Sequence, residues 1–252
     1  MKKIVLTVIA VIAVLVAVSF VRDMIIKISV EKGVEMVTGL KLHMGSFRMS
    51  LIASSVRIGN MKIYNAPQFK DKVMADFPEI YVAYDLPAII GGKIHLKKVR
   101  LDLKQFIVVK NEKKELNLNS LKVVKAQTRG VKAESEGSPM PPIQIDVLEL
   151  KIKQALYKDY SRSSTPSVKE YNVNLDERYT NITNPYALVS LIVVKALSNT
   201  AISGAANFDI NGLKGTISNT LSGAQDAFKN TGSAVSGALG GMLNNPFGSD
   251  KK

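Results

Sequence analysis

The chain has 252 residues, no cysteine, no tryptophan and a formal net charge of +13 from 34 Lys and Arg against 21 Asp and Glu. Without cysteine there is neither a disulfide framework nor a thiolate metal site, and the length suits one or two modest domains. The basic balance calls either for an anionic partner or for a solvated surface that aids solubility.

Ile4 to Val21 is one nearly all-apolar run, preceded by Lys2 and Lys3 and closed by Arg22 and Asp23. At 1.5 Å per residue it spans roughly 27 Å, about the thickness of a hydrocarbon core. Ala17-Val18-Ser19 would serve as a cleavage site, yet the run exceeds the apolar core of a signal peptide, so an uncleaved anchor is expected. The positive flank predicts a cytoplasmic N-terminus and an exported remainder. No nucleic acid is then within reach. Anionic lipid head groups become the natural partner, at about 1 kcal/mol per basic residue near the surface.

Residues 24–37 have near-helical apolar spacing, and Thr38-Gly39 is a stop. From Leu40 the period is two. After Gly59-Asn60 the parity shifts by one, which predicts a β-bulge in one long strand over a tight hairpin. Further strands are expected at Val73–Tyr84, Lys93–Leu103 and Gln105–Lys110, with one helical turn over Leu86–Gly91 capped by Asp85. Residues 125–142 read as a linker or mobile loop. Strand pattern resumes over Ile143–Tyr157 and Val168–Leu175, and Asn184-Pro185 opens a helix over Tyr186–Asn199, too short to span a bilayer. Beyond residue 200, Ile210, Leu213, Ile217, Leu221 and Phe228 form one helical stripe in a tail rich in Gly, Ser and Ala. That stripe suits either a loosely packed lipid surface or docking onto the protein's own sheet.

The expected class is α+β, mainly β: an N-terminal transmembrane helix, a curved antiparallel β-sheet or groove, and C-terminal helices. The expected divisions are 1–23 (anchor), 24–124 (β domain), 125–142 (linker), 143–200 (continuing strands and a packed helix) and 201–252 (tail).

Residues 38 to about 121 contain Thr38-Gly39-Leu40, Gly45-Ser46-Phe47, Ser50-Leu51, the run Val56 to Ile63, Asn65-Ala66-Pro67 and Phe69. Ala75, Pro78-Glu79-Ile80, Tyr84-Asp85-Leu86, Ile89 to Ile94 and Leu116 to Leu121 follow in order. Taken in this order after an apolar N-terminus, they resemble the N-terminal domain of the AsmA-like family. The resemblance implies a bacterial inner-membrane protein with its bulk in the periplasm. It implies strands curved into an apolar groove that binds or transfers phospholipid or another envelope lipid. It further implies a contribution to outer-membrane assembly. Six or seven strands stacked about 4.8 Å apart make a groove only about 30 Å long, so other β-groove or envelope proteins are expected as partners through open sheet edges.

No catalytic constellation is present in the sequence, and neither an enzyme nor a cofactor or metal site is expected. His43 and His95 read as strand residues, and Asp71, Asp76, Glu79 and Asp85 as solvated carboxylates. If the apolar strand faces stay open, the groove is lined by Leu42, Val56, Ile58, Ile63, Ile80, Val82, Ile94, Leu96, Val99 and Leu101. If they close on a second layer, the same residues form a core and the protein is a scaffold. Lys93, Lys97, Lys98 and Arg100 are the head-group candidates, or else guard an edge strand.

Overall fold

The computed structural model describes residues 27–131, 133 and 143–218. The expected anchor Ile4 to Val21, most of the 125–142 linker and the tail beyond residue 218 lie outside the described residues. Among the described residues no helix is long and apolar enough to cross a membrane.

A helix over residues 27–38 (α1) ends where Thr38 Oγ1 donates to the Val34 carbonyl at 2.8 Å and Gly39 takes φ +76°. Six strands follow in one sheet, ordered as in the chain. They are β1 (Leu42–Ser50), β2 (Ser55–Tyr64), β3 (Val73–Tyr84), β4 (Ile94–Lys110), β5 (Ile143–Asp159) and β6 (Ser167–Ile182). α2 (Leu86–Ile90) joins β3 to β4, and Asp85 caps it as expected, its carboxylate accepting from the Ala88 N–H at 3.0 Å. α4 (Pro185–Ser198) opens on Asn184, whose side chain accepts from the N–H groups of Tyr186 and Ala187.

The sheet is mixed rather than antiparallel throughout. β4 and β5 run parallel, from Ile94 opposite Ile143 to Lys110 opposite Asp159. After Lys110 the chain passes through a 3-10 turn (Asn117–Ser120) and α3 (Lys122–Thr128) before β5 begins beside the start of β4. Such a crossover yields a parallel neighbour, where a hairpin yields an antiparallel one. Residues 125–128, expected in a linker, form the second half of α3. β4 is one strand through Lys104, at which the sequence pattern divided it.

The parity shift at Gly59-Asn60 belongs to a crease that crosses the sheet. β2 is continuous there, with Asn60 at φ +53° and its register to β1 and β3 unchanged. Ile58 and Met61 are both buried, so the alternation slips by one. The same slip falls at Gly45 in β1, at Pro78 in β3, at Lys104 in β4 and at Lys153 in β5. Pro78 has no N–H to give a ladder, so a central strand can hold it only at such an irregularity. A Cβ at Gly59 would lie 2.5 Å from Ser46 Oγ, so a larger residue there needs the Ser46 hydroxyl to turn aside. In β6 the crease takes up an extra residue near Asn174, at φ +47°. Aligned irregularities of this kind bend a sheet and increase its twist.

One face of the sheet is covered. Met44, Ile58, Ile80, Leu101, Leu150 and Tyr179 share a core with Val37 of α1, Val124 of α3 and Leu191 and Leu197 of α4. α5 (Ile202–Ala206) and α6 (Asn211–Ser218) complete the layer through Ile202, Leu213 and Ile217. The first turns of the expected C-terminal stripe therefore dock on the protein itself.

Candidate functional site

The ten groove candidates all sit on the helix-covered face or its rim. Ile58, Ile80, Val99 and Leu101 are buried in the core. Leu42, Val56, Ile63, Val82 and Leu96 are half-buried and pack against it. Ile94 is half-buried and lines a cleft of about 450 Å³ with Ala88, Lys93, His95, Ile143 and Thr183. The ten thus share one face of the sheet, and the helices pack on that face.

The head-group candidates are dispersed by their partners. Lys97 meets Asp85 at 3.2 Å, while Lys98 and Arg100 clasp Glu149 at 2.6 and 3.0 Å. Lys93 is exposed. Protection of an edge strand is ruled out for all four, because β4 lies between β3 and β5. The Ala88 N–H, followed by Lys97, holds the Asp85 carboxyl below its ordinary range. Lys98 and Arg100 do the same for Glu149. His95 stands between two carboxylates, 2.9 Å from Asp146 Oδ2 and 3.9 Å from Asp85 Oδ2.

The opposite face is open and charged. Across the strands the registers align Arg48, Arg57, Tyr81, Arg100, Glu149 and Arg178 in one row. The Arg57 and Arg100 guanidiniums lie 5.5 and 5.9 Å from the Tyr81 ring centroid. The next row toward the crease is acidic, with Glu79, Asp102 and Asp176 around Lys151. Asp176 pairs with Lys151 at 2.9 Å and holds its ammonium pKa above the usual value. No single segment of sequence announces these rows, since each strand contributes one residue and only the registers bring them together.

The two ends of the sheet also differ. The end where β2 leads into β3 is tied by side chains, and is called the loop end below. Buried Asn117 accepts from the Val109 N–H at 2.9 Å and donates to the Ile107 carbonyl and to Asn65 Oδ1, both at 2.8 Å. Its side chain takes the place of a strand partner where β3 no longer runs beside β4. Asp71 meets Lys158 at 2.5 Å and accepts from Tyr160 Oη at 2.7 Å. Beneath the loop, Phe69, Ile107, Val109, Leu156 and Tyr160 form a second small core on the otherwise open face. Burial, with Asp71 alongside, pushes the Tyr160 hydroxyl up to about 12.

The other end is the turn end, where the 51–54 turn joins β1 to β2 and α2 joins β3 to β4. The two connections touch, the Tyr84 N–H donating to the Ser54 carbonyl at 2.9 Å and Tyr84 Oη to the Ser50 carbonyl at 3.1 Å. Both expose apolar side chains, Leu51 and Ile52 from the turn and Ile89 and Ile90 from α2.

No protein-family model, curated protein or solved structure matches this chain. Among the described residues, no group of three His, Cys, Asp or Glu side chains could hold a metal ion.

Proposed function

We propose that this chain is a non-enzymatic, membrane-tethered module of the bacterial envelope that works through its surfaces as a scaffold, with a closed interior. The observation that supports this reading is the helical layer. α1, α3, α4, α5 and α6 share one core with the apolar strand face, which buries Ile58, Ile80, Val99 and Leu101 and half-buries Leu42, Val56, Ile63, Val82 and Leu96. The tether rests on the apolar run Ile4 to Val21, and the envelope setting on the AsmA-like pattern of residues 38–121. The charged rows of the open face offer a partner protein both signs in a fixed register, which favours specificity over bulk affinity.

A lipid-handling reading keeps one specific support. The cleft beside Ile94 and Ile143 has mainly apolar walls and a volume within the range of small-molecule sites. It lies at the turn end, where an acyl chain would enter.

Photocrosslinking of the full chain in cells separates the two. A photoreactive phenylalanine analogue at Arg178, on the open face, should capture envelope proteins. The same analogue at Leu96, on the covered face, should yield no phospholipid adduct. Abundant phospholipid adducts from Leu96, with none to protein from Arg178, would reverse the assignment.

A further inference from the structure

The turn end of the sheet differs from every other part of the described surface. Ile52 is fully exposed and Ile90 is 79% exposed, with Leu51 and Ile89 beside them. These four account for half of the eight large apolar side chains exposed among the described residues. They sit on two short connections held together through Tyr84. A turn that served only to reverse the chain would have no need of Leu-Ile at its tip.

Behind this apolar tip stands a belt of cations and an aromatic ring. Arg48 and Arg57 face each other two residues back from the last β1–β2 pair, Ser50 with Ser55. At the strand rise this is roughly 7 Å from the turn. Tyr81 continues the row, and Lys93 flanks α2. Arg48, Arg57 and Lys93 are exposed, whereas the neighbouring Lys97, Lys98 and Arg100 are engaged by carboxylates.

The route of the chain adds an independent observation. Val37 and Leu40 pack where β1 begins, while Lys27 Nζ, at the other end of α1, donates to the Met44 carbonyl at 3.2 Å. α1 therefore runs back along β1, its N-terminus directed toward the turn end. Only residues 22–26 separate it from the apolar run Ile4 to Val21. Five residues reach at most about 18 Å.

We propose that the turn end is a membrane-contact surface whose occupant is an anionic phospholipid bilayer. Leu51, Ile52, Ile89 and Ile90 enter the boundary between head groups and acyl chains, and Arg48, Arg57 and Lys93 meet the phosphates. Apolar side chains backed by basic and aromatic groups at this depth match the usual design of an interfacial anchor, which buries about 5–10 Å. The inference rests on the tethered reading. It goes further by fixing how the domain stands, with the turn end toward the lipid and the loop end away from it.

The absence of tryptophan makes the test direct. Single-tryptophan variants I52W, I90W and V168W of the full chain are reconstituted into phosphatidylglycerol-containing vesicles, with and without bromine on the acyl chains. Flotation reports the tether, and quenching reports the contact. The expected result is a chain that floats, with I52W and I90W emission quenched several-fold and V168W unchanged. R48E with R57E should weaken the quenching of I52W. A chain that floats while I52W and I90W behave like V168W overturns the contact surface and leaves the tether standing. A chain that does not float overturns both.

Discussion

The two ends of the sheet are built on opposite principles. At the loop end, polar side chains are consumed in holding the structure together: Asn117 completes β4, and Asp71 ties the β2–β3 loop to the end of β5. Both sheet faces are covered there, one by the helices and one by the small core around Phe69. At the turn end, four apolar side chains face outward and the ion pairs lie near the surface. Stability is therefore concentrated at one end and surface available for contact at the other. A domain that is rigid far from its contact surface can present that surface without paying for order on binding.

Substitutions should expose this asymmetry. The largest effect is expected from N117A, which strands the Val109 N–H and the Ile107 carbonyl inside the protein. A loss of about 3 kcal/mol in urea denaturation is expected. Next comes the tie between α4 and β6. Lys195 is 5% exposed and pairs at 2.8 Å with Glu177, which is 36% exposed and also accepts from Tyr179 Oη. E177A should cost about 2 kcal/mol, less than a fully buried pair because water reaches the carboxylate.

The ends should also respond to opposite extremes of pH. The Tyr157 and Tyr160 hydroxyls are pushed from 10.0 up to about 12 by burial and by Asp159 and Asp71 respectively. Their pKa is raised on folding, so their contribution is complete below pH 10 and is lost as pH rises through about 12. Asp85 and Glu149, with carboxyls held below their ordinary values of 3.8 and 4.5, contribute above those values. That contribution is lost as pH falls through their lowered values in the folded protein. Hydrogen exchange should accordingly rise first in α2 and the start of β4 on acidification, and first around Tyr160 in alkali. The smallest effect is expected at the apolar tip, where I52S and I90S should shift stability by less than about 0.5 kcal/mol, because neither side chain is packed. A large loss there would make the tip part of the core and break the comparison.

Much of this architecture can be read along the chain. Period-two runs mark β3 and β5, and Asp85 and Asn184 mark two helix starts within a residue of where they occur. Alternation puts neighbouring groove candidates on one face, and the slips between Ile58 and Met61 and between Leu96 and Val99 keep the rest of the set on it. The slip at Gly59-Asn60 is visible locally, but that it continues through Pro78 and Lys104 follows only from the registers. At Lys104 the slip made one strand look like two. The parallel pairing of β4 with β5 depends on where α3 carries the chain, and the arginine row depends on six separate strands. Whether the apolar face is open or closed depends on helices packing from positions distant in sequence, from Val37 of α1 to Ile217 of α6, which period alone does not encode.

Closure of the apolar face is directly measurable, because the chain has no cysteine of its own. Single variants I58C, I80C and L101C of the full chain in vesicles are exposed to a membrane-permeant maleimide, with K151C, on the open face and away from the turn end, as reference. K151C is expected to be labelled at the rate of a free thiol, and the other three to stay protected until denaturant is added. Rapid labelling of I58C, I80C and L101C in the folded protein would contradict closure and return the face to the role of an open groove.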